Sequence, residues 1–174
     1  MTFYYDTYAP DFSLRFKMQF ENIFVRRDIV FLCIGTDKIT GDSLGPYIGT
    51  QLKKRGLCVY GCLGNTVNAT NLTAAAVKIL REHKDPFIIA VDACLGRREH
   101  VGYASLSTEK LRAGAGVNKT LLPVGNIAVT GIVTEFGTDS FTRLMNVPAD
   151  NIKKMGNAMT EALCAAALSP GVLN

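Results

Sequence analysis

Apolar residues in this chain gather in short unbroken runs, and that pattern sets the first expectation about its fold. Residues 29–34 read Ile-Val-Phe-Leu-Cys-Ile and stop at Gly35; residues 87–91 read Phe-Ile-Ile-Ala-Val and stop at Asp92. Strand-forming runs with no polar member predict strands buried on both faces. Residues 57–62 predict a shorter strand, 101–106 a fourth and 126–133 a fifth. The segments between them carry helical spacing. A helix is expected from Ser43 to about Arg55, with Asp42 or Ser43 as N-cap, Pro46 in the first turn, and Lys53, Lys54 and Arg55 ahead of Gly56.

Residues 71–84 predict a second helix with Leu72, Ala75, Ala76, Ile79 and Leu80 on one face, stopped by Asp85-Pro86. An alanine-rich helix over 148–168 closes the chain before Pro170-Gly171. Its Ala162, Ala165, Ala166 and Ala167 fit close packing against the sheet, or against a second copy in a homo-oligomer. Residues 1–28 are aromatic and mixed in charge, and read as an arm or short helix packed on a single domain spanning 29–170. The order β-α-β-α-β, then β-β-α, predicts an α/β fold: three layers, α/β/α, around a mostly parallel five-stranded sheet. The fourth strand is reached by a short loop and is free to run antiparallel.

Composition narrows the class. At 174 residues, 48% hydrophobic and 20% charged, the chain suits one domain with its own core. The net charge is +4 and the longest basic run is the triplet Lys53–Arg55, so no nucleic-acid partner is expected. Of five cysteines, Cys33, Cys94 and Cys164 lie inside apolar runs, and there is no C-x-x-C, which fits a reducing cytoplasm. The first twenty residues lack the apolar core of a signal peptide, and no apolar stretch approaches the ~20 residues that cross a bilayer. No membrane partner is expected.

The chemistry is expected outside the carboxyl ends of the strands, where strand order reverses. If that order begins 2-1-3, the loops after the first and third strands deliver Asp42 and Asp92 to one crevice. Two close carboxylates repel, which raises one pKa and leaves one acid and one base; alternatively they can hold a divalent metal. Each also has a structural reading, Asp42 as a helix cap and Asp92 as a turn residue. A phosphate cradle in residues 35–42 is disfavoured, because the glycine-rich phosphate motifs are missing and Asp42 would repel the anion. Cys94 beside Asp92 invites a nucleophile reading, but no histidine is placed to activate it.

Four segments, CIGTDKITGDSLGP (33–46), VDACLG (91–96), AGAGVNK (113–119) and VTGIV (129–133), resemble those of the YyaC-type sporulation proteins. These are smaller relatives of the spore germination protease, which degrades small acid-soluble spore proteins. The resemblance implies a fold shared with the hydrogenase maturation proteases. It implies Asp42 and Asp92 as the catalytic pair of an aspartic-type endopeptidase without cofactor or resident metal. It also implies a protein or peptide substrate held near Gly114, Gly116, Asn118 and Lys119, and a place in the cytoplasm of the developing spore or mother cell. Lys119 would tune a carboxylate, and Asn118 would donate to a substrate carbonyl. The maturation enzymes recognise nickel with acidic residues and a histidine; neither His83 nor His100 matches that histidine. The chain is shorter than the germination protease, so the alternative is a peptide- or protein-binding module that does not cut. A metal-dependent hydrolase is a third possibility.

Overall fold

The two long apolar runs become neighbouring central strands. The computed structural model describes residues 1–24, 28–112 and 122–169. Its elements are β1 (Thr2–Asp6), α1 (Phe12–Ile23), β2 (Ile29–Cys33), α2 (Leu44–Lys54), β3 (Val59–Tyr60), α3 (Leu72–Glu82), β4 (Phe87–Gly96), β5 (Tyr103–Ser107), β6 (Ile127–Glu135), α4 (Ser140–Met145) and α5 (Ala149–Ala167). The strands form one sheet in the order β1-β5-β6-β4-β2-β3. β3, β2, β4 and β6 are parallel, and β5 runs antiparallel to both of its neighbours.

Alternate residues of the central strands enter two separate cores, which is why the runs are apolar throughout. Phe31, Cys33, Ile89, Val91 and Val129 pack with α1, α2 and α5 on one face. Val30, Leu32, Ile34, Ile88, Ala90 and Ala128 pack with Leu72 and Ile79 of α3 on the other. The three-layer expectation is met, with six strands in place of five. The sixth is β1, which pairs with β5 from Thr2↔Ser107 to Asp6↔Tyr103. It lies at an edge and buries only Tyr5, so its pattern is too mixed to announce a strand. Ala162, Ala166 and Ala167 of α5 are buried in the first core. No helix among the described residues is long and apolar enough to cross a membrane.

The first 24 residues are integral to that core. Phe12, Phe16 and Phe20 recur every fourth residue along α1 and all three are buried. Phe16 meets the Tyr5 ring edge-on at 5.9 Å, and Phe20 meets Phe87 at 6.5 Å. Aromatic rings in such positions contribute through area and through edge-to-face geometry. Phe20→Ala is expected to cost about 3–5 kcal/mol, read as a lower urea midpoint at unchanged m-value. A loss below about 1 kcal/mol would mean that α1 is peripheral to the fold.

Candidate active site

Asp42 is placed by a loop that folds back on the end of β2. Gly35 adopts φ +139°, and a Cβ there would lie 2.0 Å from the Asp42 carbonyl oxygen. Only glycine permits that approach. The Thr36 N–H then donates both to the Asp42 carbonyl (3.2 Å) and to its Oδ2 (2.7 Å). Residues Gly41–Ser43 form a single 3-10 turn that leads into α2. Asp42 is therefore not the cap of α2. That position belongs to Ser43, whose hydroxyl instead donates to the Thr40 carbonyl at 2.6 Å.

Asp92 stands within β4, not at its end. β2 stops at Cys33, which pairs with Val91, while β6 continues alongside β4 from Asp92↔Thr130 to Gly96↔Glu135. Asp92 is thus the first β4 residue to have lost its neighbour on the β2 side. Since β3 and β4 flank β2, this is the reversal point anticipated from the sequence. The Ala93 N–H donates to Asp92 Oδ1 at 2.8 Å. Among the described residues, no second donor holds either carboxyl.

Both aspartates line one cavity of about 370 Å³. Its polar floor includes Cys94 and Thr130, and its wall includes Ile39, Leu95, Leu111, Phe136, Phe141 and Leu144, with Ser140 and Arg112 nearby. Burial raises Asp42 from 3.8 to about 6, against the opposing Thr36 N–H. Asp92 is only 9% exposed. Burial, then the charge of Asp42, push its pKa well above the ordinary carboxyl value, with the Ala93 N–H acting against them. The charge of Asp42 is thus felt at Asp92 inside one low-dielectric space. Burial also pushes the Cys94 thiol up to about 11, which keeps it protonated and unreactive at neutral pH.

Two other residues singled out in the sequence, His83 and His100, do not line this cavity. Gly114, Gly116, Asn118 and Lys119 fall outside the described residues. His83 contacts the Tyr60 hydroxyl at 3.0 Å and the Cys58 thiol at 3.6 Å. His100 stacks on Tyr4 with ring centroids 5.1 Å apart. Among the described residues no three His, Cys, Asp or Glu side chains converge as metal ligands, so this donor set does not fit a three-ligand metal centre. All five cysteines are free.

Sequence reasoning did not find the apolar wall or Thr130. Phe141, Leu144 and Met145 have the i, i+3, i+4 spacing of a helix, and that spacing was the available signal for α4. Thr130 is the one polar side chain between Ile127 and Val133, where its neighbours are buried, which marks it as a polar group on a buried face.

Comparison with known proteins follows the same lines. The fold is that of a NiFe hydrogenase maturation protease, HycI from Thermococcus kodakarensis KOD1, at a TM-score of 0.52 and 16% identity over 86% of this chain and 98% of that one. A Bacillus subtilis (strain 168) protein called "Uncharacterized protein YyaC" is 43% identical over 140 residues, 79% of this chain and 68% of that protein. Residues 2–162 match the family described as "Protein of unknown function (DUF1256)". With all six described strands and both aspartates inside that match, the chain belongs to the DUF1256 family.

Proposed function

We propose that this protein is an aspartic-type endopeptidase that acts on spore proteins during sporulation. The observation that carries the reading is a pair of carboxyl groups, distant in sequence, lining one cavity with both pKa values raised. A fold shared with a maturation protease supports it, as does the resemblance of the two aspartate segments to those of the germination protease. The environments suggest the roles. Asp42 is the more open of the two and ionises near pH 6, so it acts as general base; the deeper Asp92 keeps its proton and acts as general acid.

In this scheme Asp42 takes a proton from water as the water oxygen bonds to the scissile carbonyl carbon. Asp92 donates its proton to the carbonyl oxygen, giving a neutral tetrahedral intermediate. On collapse, the proton held by Asp42 passes to the leaving amide nitrogen as the C–N bond breaks. The hydroxyl proton returns to Asp92 as the carbonyl re-forms. Both aspartates end in their starting states. Small acid-soluble spore proteins are the proposed substrate, in the cytoplasm of the developing spore or mother cell.

One observation favours a binding module instead. Phe136 and Phe141 stand 67% and 55% exposed beside the aspartates, as a surface built to hold an apolar side chain would. The two readings separate when the protein is incubated at pH 7 with small acid-soluble spore proteins and with a proteome-derived peptide library. Mass spectrometry should find new peptide termini, in equal yield with and without EDTA. Intact peptides that co-purify with the protein would favour the module, and fragments that vanish with EDTA would rule out the Asp-pair mechanism.

A further inference from the structure

The VTGIV segment has no part in the scheme above, yet it places a hydroxyl in the middle of the site. Thr130 on β6 pairs with Asp92 of β4 on one side and with Ser105 of β5 on the other. Direct cross-strand partners point to the same face of a sheet, so Asp92, Thr130 and Ser105 form one polar row across three strands. Cys94, two residues beyond Asp92, shares that face and donates its thiol proton to Thr130 Oγ1 at 3.3 Å. The Ser105 and Thr130 hydroxyls lie 2.7 Å apart.

A hydroxyl has two acceptor sites and a single proton, so these contacts can be counted. Ser105 is 6% exposed, and among the described residues its hydroxyl meets only Thr130. If Thr130 donated to Ser105, the Ser105 proton would be buried without an acceptor, at a cost of about 1–3 kcal/mol. The arrangement that satisfies both has Ser105 donating to Thr130. Cys94 and Ser105 then occupy both acceptor sites of Thr130, and its own proton is left for the cavity that the residue lines. Among the described residues no hydrogen bond joins Thr130 to Asp92, whose Oδ1 accepts from the Ala93 N–H.

Resting on the proposed hydrolysis, we propose that Thr130 is a further catalytic residue, a fixed hydroxyl donor to the oxygen of the scissile carbonyl. No proton leaves Thr130 in this role. It supplies a hydrogen bond aimed where negative charge develops, alongside the proton given by Asp92. The thiol and the buried serine hold it there, so no reorganisation is needed as charge appears. Cys94 thereby gains a use as a positioning residue, one that needs it protonated.

The test compares Thr130→Val, which keeps the shape and removes the hydroxyl, with Thr130→Ser, which keeps the hydroxyl. With a peptide that wild-type protein cleaves, Thr130→Val is expected to lower kcat about a hundredfold at nearly unchanged KM. Thr130→Ser should stay within about fivefold of wild type, which a purely packing role would not predict. Circular dichroism and thermal melting confirm that both variants fold. As a second readout, a statine-type inhibitor, whose hydroxyl mimics the tetrahedral oxygen, should bind Thr130→Val about a hundredfold more weakly by calorimetry. Wild-type cleavage matched by Thr130→Val overturns the role of the hydroxyl and leaves the Asp pair standing. A wild-type protein that neither cleaves the library nor binds the inhibitor overturns the hydrolase reading and this inference with it.

Discussion

Asp92→Asn is expected to lower peptide cleavage at least about a thousandfold while making the protein more stable at pH 8. The loss follows from removing the proton that Asp92 is proposed to donate. The gain follows from the direction of the pKa shifts. Both carboxyls bind protons more tightly in the folded protein than in the unfolded chain. Below the unfolded value near 3.8, both states are protonated and the site costs nothing. As pH rises, the unfolded chain ionises freely while the folded one resists, so stability falls. For Asp42 that fall runs from 3.8 to about 6; for Asp92 it begins at the same point and extends higher.

The share of Asp42 alone is on the order of 2 kcal/mol, allowing for its partial contact with solvent. The neutral amide introduced by Asp92→Asn escapes the larger penalty of the deeper site, and its oxygen can still accept from the Ala93 N–H as the Asp92 Oδ1 does. Thermal midpoints should therefore favour Asp92→Asn by about 5 °C or more at pH 8. The two proteins should converge as pH falls toward 4. A variant that is less stable than wild type at pH 8, or an advantage independent of pH, would mean that Asp92 is an ordinary structural carboxylate.

This tension between stability and chemistry also explains which parts of the molecule could be read from the chain. The central strands announced themselves because each is buried on both faces, so continuous apolar runs were obligatory. The 2-1-3 order of the first three predicted strands followed, and it brought Asp42 and Asp92 to the same crevice. What the chain did not disclose depended on distant neighbours. β1 is a strand because β5 offers an edge to it, not because residues 2–6 alternate cleanly. β4 runs on to Gly96 because β6 remains beside it, so Asp92 sits inside a strand rather than at a turn. Predicted residues 57–62 shrink to Val59–Tyr60, because Gly61 turns to φ +93° immediately afterwards. The helix-cap reading of Asp42 failed for a related reason. A 3-10 turn precedes α2, and the carboxyl reaches back to Thr36.

The pH dependence of cleavage should separate this site from a pair of exposed carboxyls. Catalysis requires one ionised and one protonated aspartate, and the pair titrates as a unit, so the rate depends on its singly protonated form. The acid limb should lie near pH 6, where Asp42 loses its proton, with kcat/KM falling about tenfold for each pH unit below it. Cleavage should decline again on the alkaline side, when Asp92 ionises against burial and the negative charge of Asp42. The optimum is therefore expected near neutrality, not in acid. Asp42→Asn provides an internal check, since it removes the neighbouring charge that helps to raise Asp92. The Asp92 carboxyl, followed by carbon NMR, should then titrate at lower pH than in wild type, even in a variant that no longer cuts. Full activity held down to pH 4, or an Asp92 titration indifferent to residue 42, would show that the two carboxyls do not work as a pair.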